Sequence, residues 1–459
     1  MKNALYNTIT FIISPMIITS CNKQDSWLDV KRNRSDLVPQ TIQDYQSLLD
    51  NDRIMNANYP SLGLIGSDNY YVTSADWQSL GVLERNAYIW ADEVYQNSNA
   101  DWTCAYQIIA YANAVLDGLK KIKPDQNSVA SFNRTKGSAL FFRSNCFFNI
   151  AQIFAKPYHA ATASDDLGIV LKLTADVNEP IVRHSIKETY DRIISDLIEA
   201  QQLLQEFPTF QTQPSKLSAE ALLARVYLTM GDYDKARDFS NLALSRYSQL
   251  IDFNTLNESA SFPFGTFGKN LEVIFYATPV PYNINYANYL NIVDSSLYAL
   301  YDDDDLRKTI FYIDNGNGIV RFKGTYTGGY DQFAGIATNE LLLIRSECYA
   351  RLNETNKALE DLNALLSNRF KPGAFVPVNA ASAEDALKII IQERRKEMPF
   401  NADIRWLDLR RLNKESKFAV TQKRIINGTT YTLNPNDNKY TYPIPPDEIS
   451  VSNIPQNPR

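Results

Sequence analysis

Histidine is close to absent, since only His159 and His184 occur among 459 residues. A His-rich metal centre is thereby excluded. Cysteine is scarce too. Apart from Cys21 there are Cys104, Cys146 and Cys348, an odd number, each inside an apolar helical pattern, so buried thiols are expected rather than a disulfide framework. There is no basic excess: 46 Lys and Arg stand against 52 Asp and Glu, a net charge of −6, or −7 once residues 1–20 are set aside. That balance argues against nucleic acid, whose phosphates select a basic surface. Beyond residue 20, no stretch approaches the roughly twenty apolar residues of a membrane-spanning helix. Nor does a Gly/Ser-rich or Pro-rich linker divide the chain, so one large body with long loops is expected despite the length.

The amino-terminal residues have a different character. Met1-Lys2-Asn3 is weakly positive, Ala4 to Ile18 is mostly apolar, and Ile18-Thr19-Ser20 puts small residues ahead of Cys21. That order is expected of a secretory signal over residues 1–20. A cysteine placed directly after it resembles the lipobox of bacterial lipoproteins, which implies acylation of Cys21 and a membrane held through lipid, with residues 21–40 as acylated terminus and tether. Asn22 to Asp25 contains a single acid, so any acidic surface-export signal there is weak.

Helical signals dominate residues 41–459. Thr41 with Asp44 has the spacing of a capping box opening a helix through Leu49. Asp101 to Leu119 repeats Trp102, Tyr106, Ile109, Asn113 and Leu116 at three- and four-residue steps, and Thr135 to Lys156 repeats Leu140, Phe141, Phe147, Phe148 and Ile150 before Pro157 stops it. Ser185 with Glu188 caps another helix, reaching about Leu204. Two segments, Ala219 to Ala243 and Leu341 to Leu365, share a Tyr (Tyr227, Tyr349) nine residues before an Ala (Ala236, Ala358), with Gly231 or Asn353 as the turn. This is the spacing of tetratricopeptide repeats, here near 185–250 and 338–368. The fold class expected is mainly α, a tetratricopeptide-like helical-repeat scaffold with long irregular loops and minor β. Those loops are residues 56–100, rich in exposed-type aromatics, and Asn254 to Asp331, with short β-type runs at Glu272 to Tyr276 and Gly318 to Phe322.

From Glu393 the sequence becomes specific. Glu393 to Arg411 reads ERRKEMPFNADIRWLDLRR, and Tyr442 to Arg459 reads YPIPPDEISVSNIPQNPR. Both resemble signatures of the RagB/SusD-like outer-membrane nutrient-binding lipoproteins, and with the lipobox and the repeats the similarity spans the chain. The resemblance implies a lipoprotein on the cell exterior that sits over a SusC-like TonB-dependent transporter and delivers a glycan, or in some members a peptide, without cofactor. Met398 to Asp403 departs from the family's more usual Leu-x-Phe-Glu-Gly, which should change the turn. Read from the residues alone, Glu393, Arg394, Arg395 and Glu397 can pair with Arg405, Asp408, Arg410 and Arg411, an arrangement that orders helices more often than it reacts.

A glycan site needs flat aromatic platforms beside amide or carboxylate groups. Ser67 to Trp77 offers Tyr70, Tyr71 and Trp77 next to Asp68 and Asn69. Tyr282, Tyr286 and Tyr289 form a second set, spaced like one face of a short helix and equally suited to a core stripe. Asp302 to Asp305 lacks the alternation and Gly of a calcium loop and reads as a solvated acidic turn. No catalytic constellation and no metal site is expected. A glycoside hydrolase, whose paired carboxylates sequence spacing cannot reveal, and a scaffold that binds only proteins are the remaining alternatives.

Overall fold

The computed structural model describes residues 39–266 and 268–459; the expected signal, Cys21 and nearly all of the tether lie outside them. Residues 41–459 form one compact unit. Among the described residues the long elements are helices: α1 (Ile42–Leu49), α2 (Ala100–Leu119), α3 (Val129–Phe154), α4 (Ile186–Leu203), α5 (Lys216–Met230), α6 (Tyr233–Arg246), α7 (Thr338–Arg351), α8 (Thr355–Leu366), α9 (Ala383–Glu397) and α10 (Ile404–Leu412). The expected capping boxes form at Thr41/Asp44 and Ser185/Glu188. Helix α3 starts six residues earlier than its apolar period indicates, because Val129 to Arg134 are exposed or half-buried and carry no core-facing repeat.

The repeat pairs meet as their spacing requires. Helix α3 packs between α2 and α4, and contacts continue from α4 to α5, α5 to α6, α6 to α7 and α7 to α8. Ala236 and Ala358 have no exposed surface, which lets paired helices approach. Tyr227 stacks on Phe239 with ring centres 5.5 Å apart. Gly231 and Asn353, the two turn residues, both adopt the left-handed conformation, with φ of 81° and 63°. Two buried two-pronged ion pairs tie successive layers: Arg143 of α3 to Asp196 of α4 at 2.8 and 2.9 Å, and Arg225 of α5 to Glu340 of α7 at 2.9 and 2.5 Å.

Strands are few and short. Among the described residues they form five two-stranded antiparallel ladders, including Tyr70–Tyr71 with Ile292–Val293, Tyr312–Asp314 with Val320–Phe322, and Gln422–Ile426 with Thr429–Leu433. Cys146 and Cys348 are buried free thiols, as expected, whereas Cys104 is half-buried.

Two expectations need correction. Residues 56–100 are not a set of exposed aromatic loops. Short helices at Leu62–Gly66, Ser74–Ser79 and Val82–Tyr88 turn the segment inward, leaving Tyr59, Tyr88 and Trp90 at most 2% exposed. The cause is distant in sequence: the Arg424 guanidinium lies 3.7 Å from the Tyr88 ring centre and 4.6 Å from that of Trp90. Trp406 presses on the Leu62–Gly66 helix, so closely that a side chain at Gly63 or Gly66 would collide with it. The run Asp302 to Asp305 is also not wholly solvated. Asp305 is buried, bonded to Arg307 at 2.7 and 2.9 Å and to Lys396 at 3.0 Å, in a network that continues through Glu397 to Arg369 and Glu272.

Candidate ligand-binding face

The charged run of α9 and α10 builds the floor of this region rather than a reactive centre. Arg394 and Arg411 both bond Asp408 at 2.8 Å, and Arg411 also holds Glu347. Arg405 and Arg395 instead cross to Asp68, at 2.6 and 3.4 Å. Burial would raise the Asp68 carboxyl, but the two guanidiniums outweigh it and hold the group well below the usual carboxylate range. Asp68 is thus an anchor that fixes the start of the Tyr70–Tyr71 strand, and its lone pairs are committed to arginine.

Neighbouring candidates part ways because side chains alternate along a strand. Asn69 and Tyr70 are 1% and 3% exposed; the Tyr70 hydroxyl donates to the Ile65 carbonyl at 3.3 Å and its ring meets Tyr88 and Phe400. Neither presents a platform outward. Tyr71 points the other way and is 42% exposed. Trp77 is half-buried on its short helix, its indole N–H donating to the Arg85 carbonyl at 3.1 Å while the Arg85 guanidinium lies 5.7 Å from the ring centre. That helix is tied to a different element, the turn at Asn427, whose N–H donates to the Ser74 hydroxyl at 2.9 Å.

The second set does not lie on an α-helix. Asn283–Asn285 makes one 3-10 turn, after which the chain turns again at Ala287–Asn288, where Asn288 has a left-handed φ of 50°, before the strand at Ile292. Tyr282 turns inward and donates to Asp101 at 2.5 Å; Tyr286 is half-buried; Tyr289 is 52% exposed. The structure brings this segment between two others. At one end Ile292 pairs with Tyr71, and at the other the Ala287 N–H donates to the Tyr330 carbonyl at 2.9 Å. Tyr330, 63% exposed, is edge-on to Phe262 with ring centres 4.9 Å apart.

Tyr71, Tyr286, Tyr289 and Tyr330 are therefore carried on adjoining backbone. The five residue-to-residue steps from Ala287 to Ile292 set the spacing between the two ends, at most about 18 Å. Polar groups accompany the rings: Asp331 is exposed beside Tyr330, Asn288 is half-buried, and Arg321 is held by the Tyr289 and Asn291 carbonyls. Tyr330 and Phe262 escaped the sequence reading. The available signal was Gly328-Gly329-Tyr330-Asp331, an aromatic on a flexible turn beside an acid. Among the described residues no group of His, Cys, Asp and Glu is placed to hold a metal ion, and no helix is long and apolar enough to cross a membrane.

Comparison with known proteins adds an independent line. A family model described as starch-binding associating with outer membrane matches residues 26–228, and one described as SusD family matches residues 325–459. SusD-like protein P2 of Formosa agariphila is 25% identical over 422 residues, covering 78% of this chain and 80% of its own. A SusD superfamily protein of Bacteroides thetaiotaomicron superposes with a TM-score of 0.72 at 21% identity, covering 91% of this chain and 100% of that one. A SusD-like carbohydrate binding protein of Bacteroides vulgatus does so with a TM-score of 0.68 at 20% identity, covering 90% and 97%.

Proposed function

This chain belongs to the SusD/RagB-like family of outer-membrane-associated, carbohydrate-binding proteins, and from that membership we propose that it captures an oligosaccharide on the tyrosine face and passes it to a SusC-like TonB-dependent transporter. In this reading Cys21 carries the lipid that holds the body at the outer membrane, facing the exterior, and the chain binds its ligand without altering it. The observation that carries the reading is the set of exposed rings, Tyr71, Tyr289 and Tyr330, on adjoining segments with Asp331, Asn288 and Arg321 beside them. Sugar rings present apolar C–H faces between hydroxyls, so stacking and hydrogen bonding are needed together. The match to a starch-binding family model and the likeness to the carbohydrate binding protein of B. vulgatus favour carbohydrate over peptide.

Calorimetric titration of the full chain against panels of neutral oligosaccharides and of peptides tests it. Saturable oligosaccharide binding without product formation, weakened in Tyr289→Ala and Tyr330→Ala, is the result expected. Peptide binding alone would overturn the ligand class. Sugar binding indifferent to both substitutions would overturn the site, and product formation would overturn the non-catalytic role.

A further inference from the structure

Each arginine of the Glu393–Arg411 run has a carboxylate partner except one. Arg394, Arg395, Arg405 and Arg411 are paired with Asp408, Asp68 or Glu347. Arg410 is 3% exposed, and among the described residues no carboxylate stands within ion-pair distance of it. Its two Nη atoms donate to the Ala151 and Ala155 carbonyls, at the carboxyl end of α3, while its buried Nε has no hydrogen-bond partner.

Arg410 lines a cavity of about 260 Å³ that also takes in Lys156, His159, Asn413, Lys414 and Asp437. Asn413, likewise buried, uses its Oδ1 to accept from the Val420 N–H at 3.0 Å, which leaves its Nδ2, facing the Tyr440 hydroxyl, as a second buried donor without a well-formed hydrogen bond. Lys414, exposed at the mouth, donates to the Tyr158 carbonyl and has no carboxylate within reach among the described residues. Partial burial and the like charges of Arg410 and Arg411 push its ammonium below the usual lysine range. Of the acids on the same wall, Asp166 is paired with Lys156 at 2.6 Å, and Asp437, which accepts from the Lys439 N–H at 2.9 Å, sets one negative charge against the two cations Arg410 and Lys414. A guanidinium, an amide and an ammonium thus border one water-accessible space with donors left over. Capping α3, a usual task for a cation at a helix end, accounts for the two Nη atoms of Arg410 but not for its Nε, for Asn413 Nδ2 or for Lys414.

We propose that this cavity binds one tetrahedral oxyanion, sulfate or phosphate, free or as an ester on a larger ligand, with Arg410 and Asn413 at its floor and Lys414 at its mouth. Charge-assisted N–H···O bonds from a guanidinium and an ammonium are the strongest that neutral-pH side chains offer such a group. None of the tyrosine-face residues lines the cavity, so the site stands whether or not that face binds sugar.

The full chain is titrated with sodium sulfate and sodium phosphate at ionic strength held constant with chloride, reading calorimetric heat and thermal midpoint. Wild type should bind one of these anions saturably. Lys414→Met, a change at an exposed position, should weaken binding about tenfold through loss of one charged hydrogen bond. Asn413→Asp keeps an acceptor for Val420 and should abolish binding by placing a negative charge at the floor. Absence of saturable binding in wild type, or binding that survives both substitutions unchanged, would overturn the proposal. Glucose 6-phosphate separates the sources: tighter binding than inorganic phosphate supports a sugar-borne ester, and equal or weaker binding supports the free anion.

Discussion

Asp101 gives the fold a pH dependence whose sign and size follow from its surroundings. The carboxylate has no exposed surface; its Oδ1 accepts from the Ser61 and Leu62 N–H groups and its Oδ2 from the Tyr282 hydroxyl. Burial pushes its pKa from 3.8 up to about 6, against those hydrogen bonds, which favour the charged form. Asp403, also buried, accepts from Leu64 N–H at 2.9 Å and is raised by burial and by the charge of Asp101. Since the folded chain holds the Asp101 proton more tightly than the unfolded chain does, its contribution to stability is complete below about pH 4 and is lost as pH rises through about 6. A displacement of about two pH units corresponds to roughly 3 kcal/mol. In Asp101→Asn the side chain stays neutral at every pH, its amide oxygen can still accept from Ser61 and Leu62, and its amino group faces Tyr282. Urea unfolding of both proteins at a series of pH values between about 4.5 and 7.5 reads the difference. The variant should gain on wild type by about 2 kcal/mol across that window, whatever its offset at the acid end. Asp403 adds in the same direction, because removing the neighbouring charge eases its own ionisation. A difference that stays flat with pH, at unchanged m, would refute the reasoning.

That same cluster shows where sequence reading stops. Periodicity found the long helices because each repeats its apolar positions over several turns, and the caps at Thr41 and Ser185 and the turns at Gly231 and Asn353 are local chemistry. Residues 56–100 defeated it, since helices such as Leu62–Gly66 are too short to show a period and are held by Asp101, Asp403, Trp406 and Arg424 from elsewhere in the chain. The candidate site was legible as composition but not as orientation. Tyr70 and Tyr71 are adjacent, and only the pairing with Val293 and Ile292 decides which one faces outward. Tyr282 seemed equivalent to Tyr289 until Asp101 took its hydroxyl, and Tyr330 joins the face through a single backbone bond to Ala287. The charge pairing expected of the signature was right in kind; that Asp68 would take two of its arginines, and Arg410 none of its acids, depends on long-range packing.

Other perturbations separate binding from folding. Tyr289→Ala and Tyr330→Ala should each weaken oligosaccharide binding by roughly tenfold, as loss of an aromatic anchor does, with little change in thermal midpoint because both rings are exposed. Arg369→Met, by contrast, strands Glu272 and Glu397 without the guanidinium that bonds both at 2.8 Å, and should cost about 3–5 kcal/mol in urea unfolding. Ala402→Gly tests the turn that departs from the family pattern. Phe400 and Ala402 have φ of 57° and 34°, in the left-handed region, and Ala402 occupies the point where the resembled pattern places glycine. A Cβ there costs roughly 1–2 kcal/mol, and glycine forfeits about 0.4–1 kcal/mol by loosening the unfolded chain. The net expected for Ala402→Gly is a gain of about 0.5–1 kcal/mol, while Ala402→Val, branched next to the same backbone, should lose more than that. Stability lost in the glycine variant would mean that the contacts of the Ala402 methyl outweigh the backbone strain, and that the turn has adapted to its alanine.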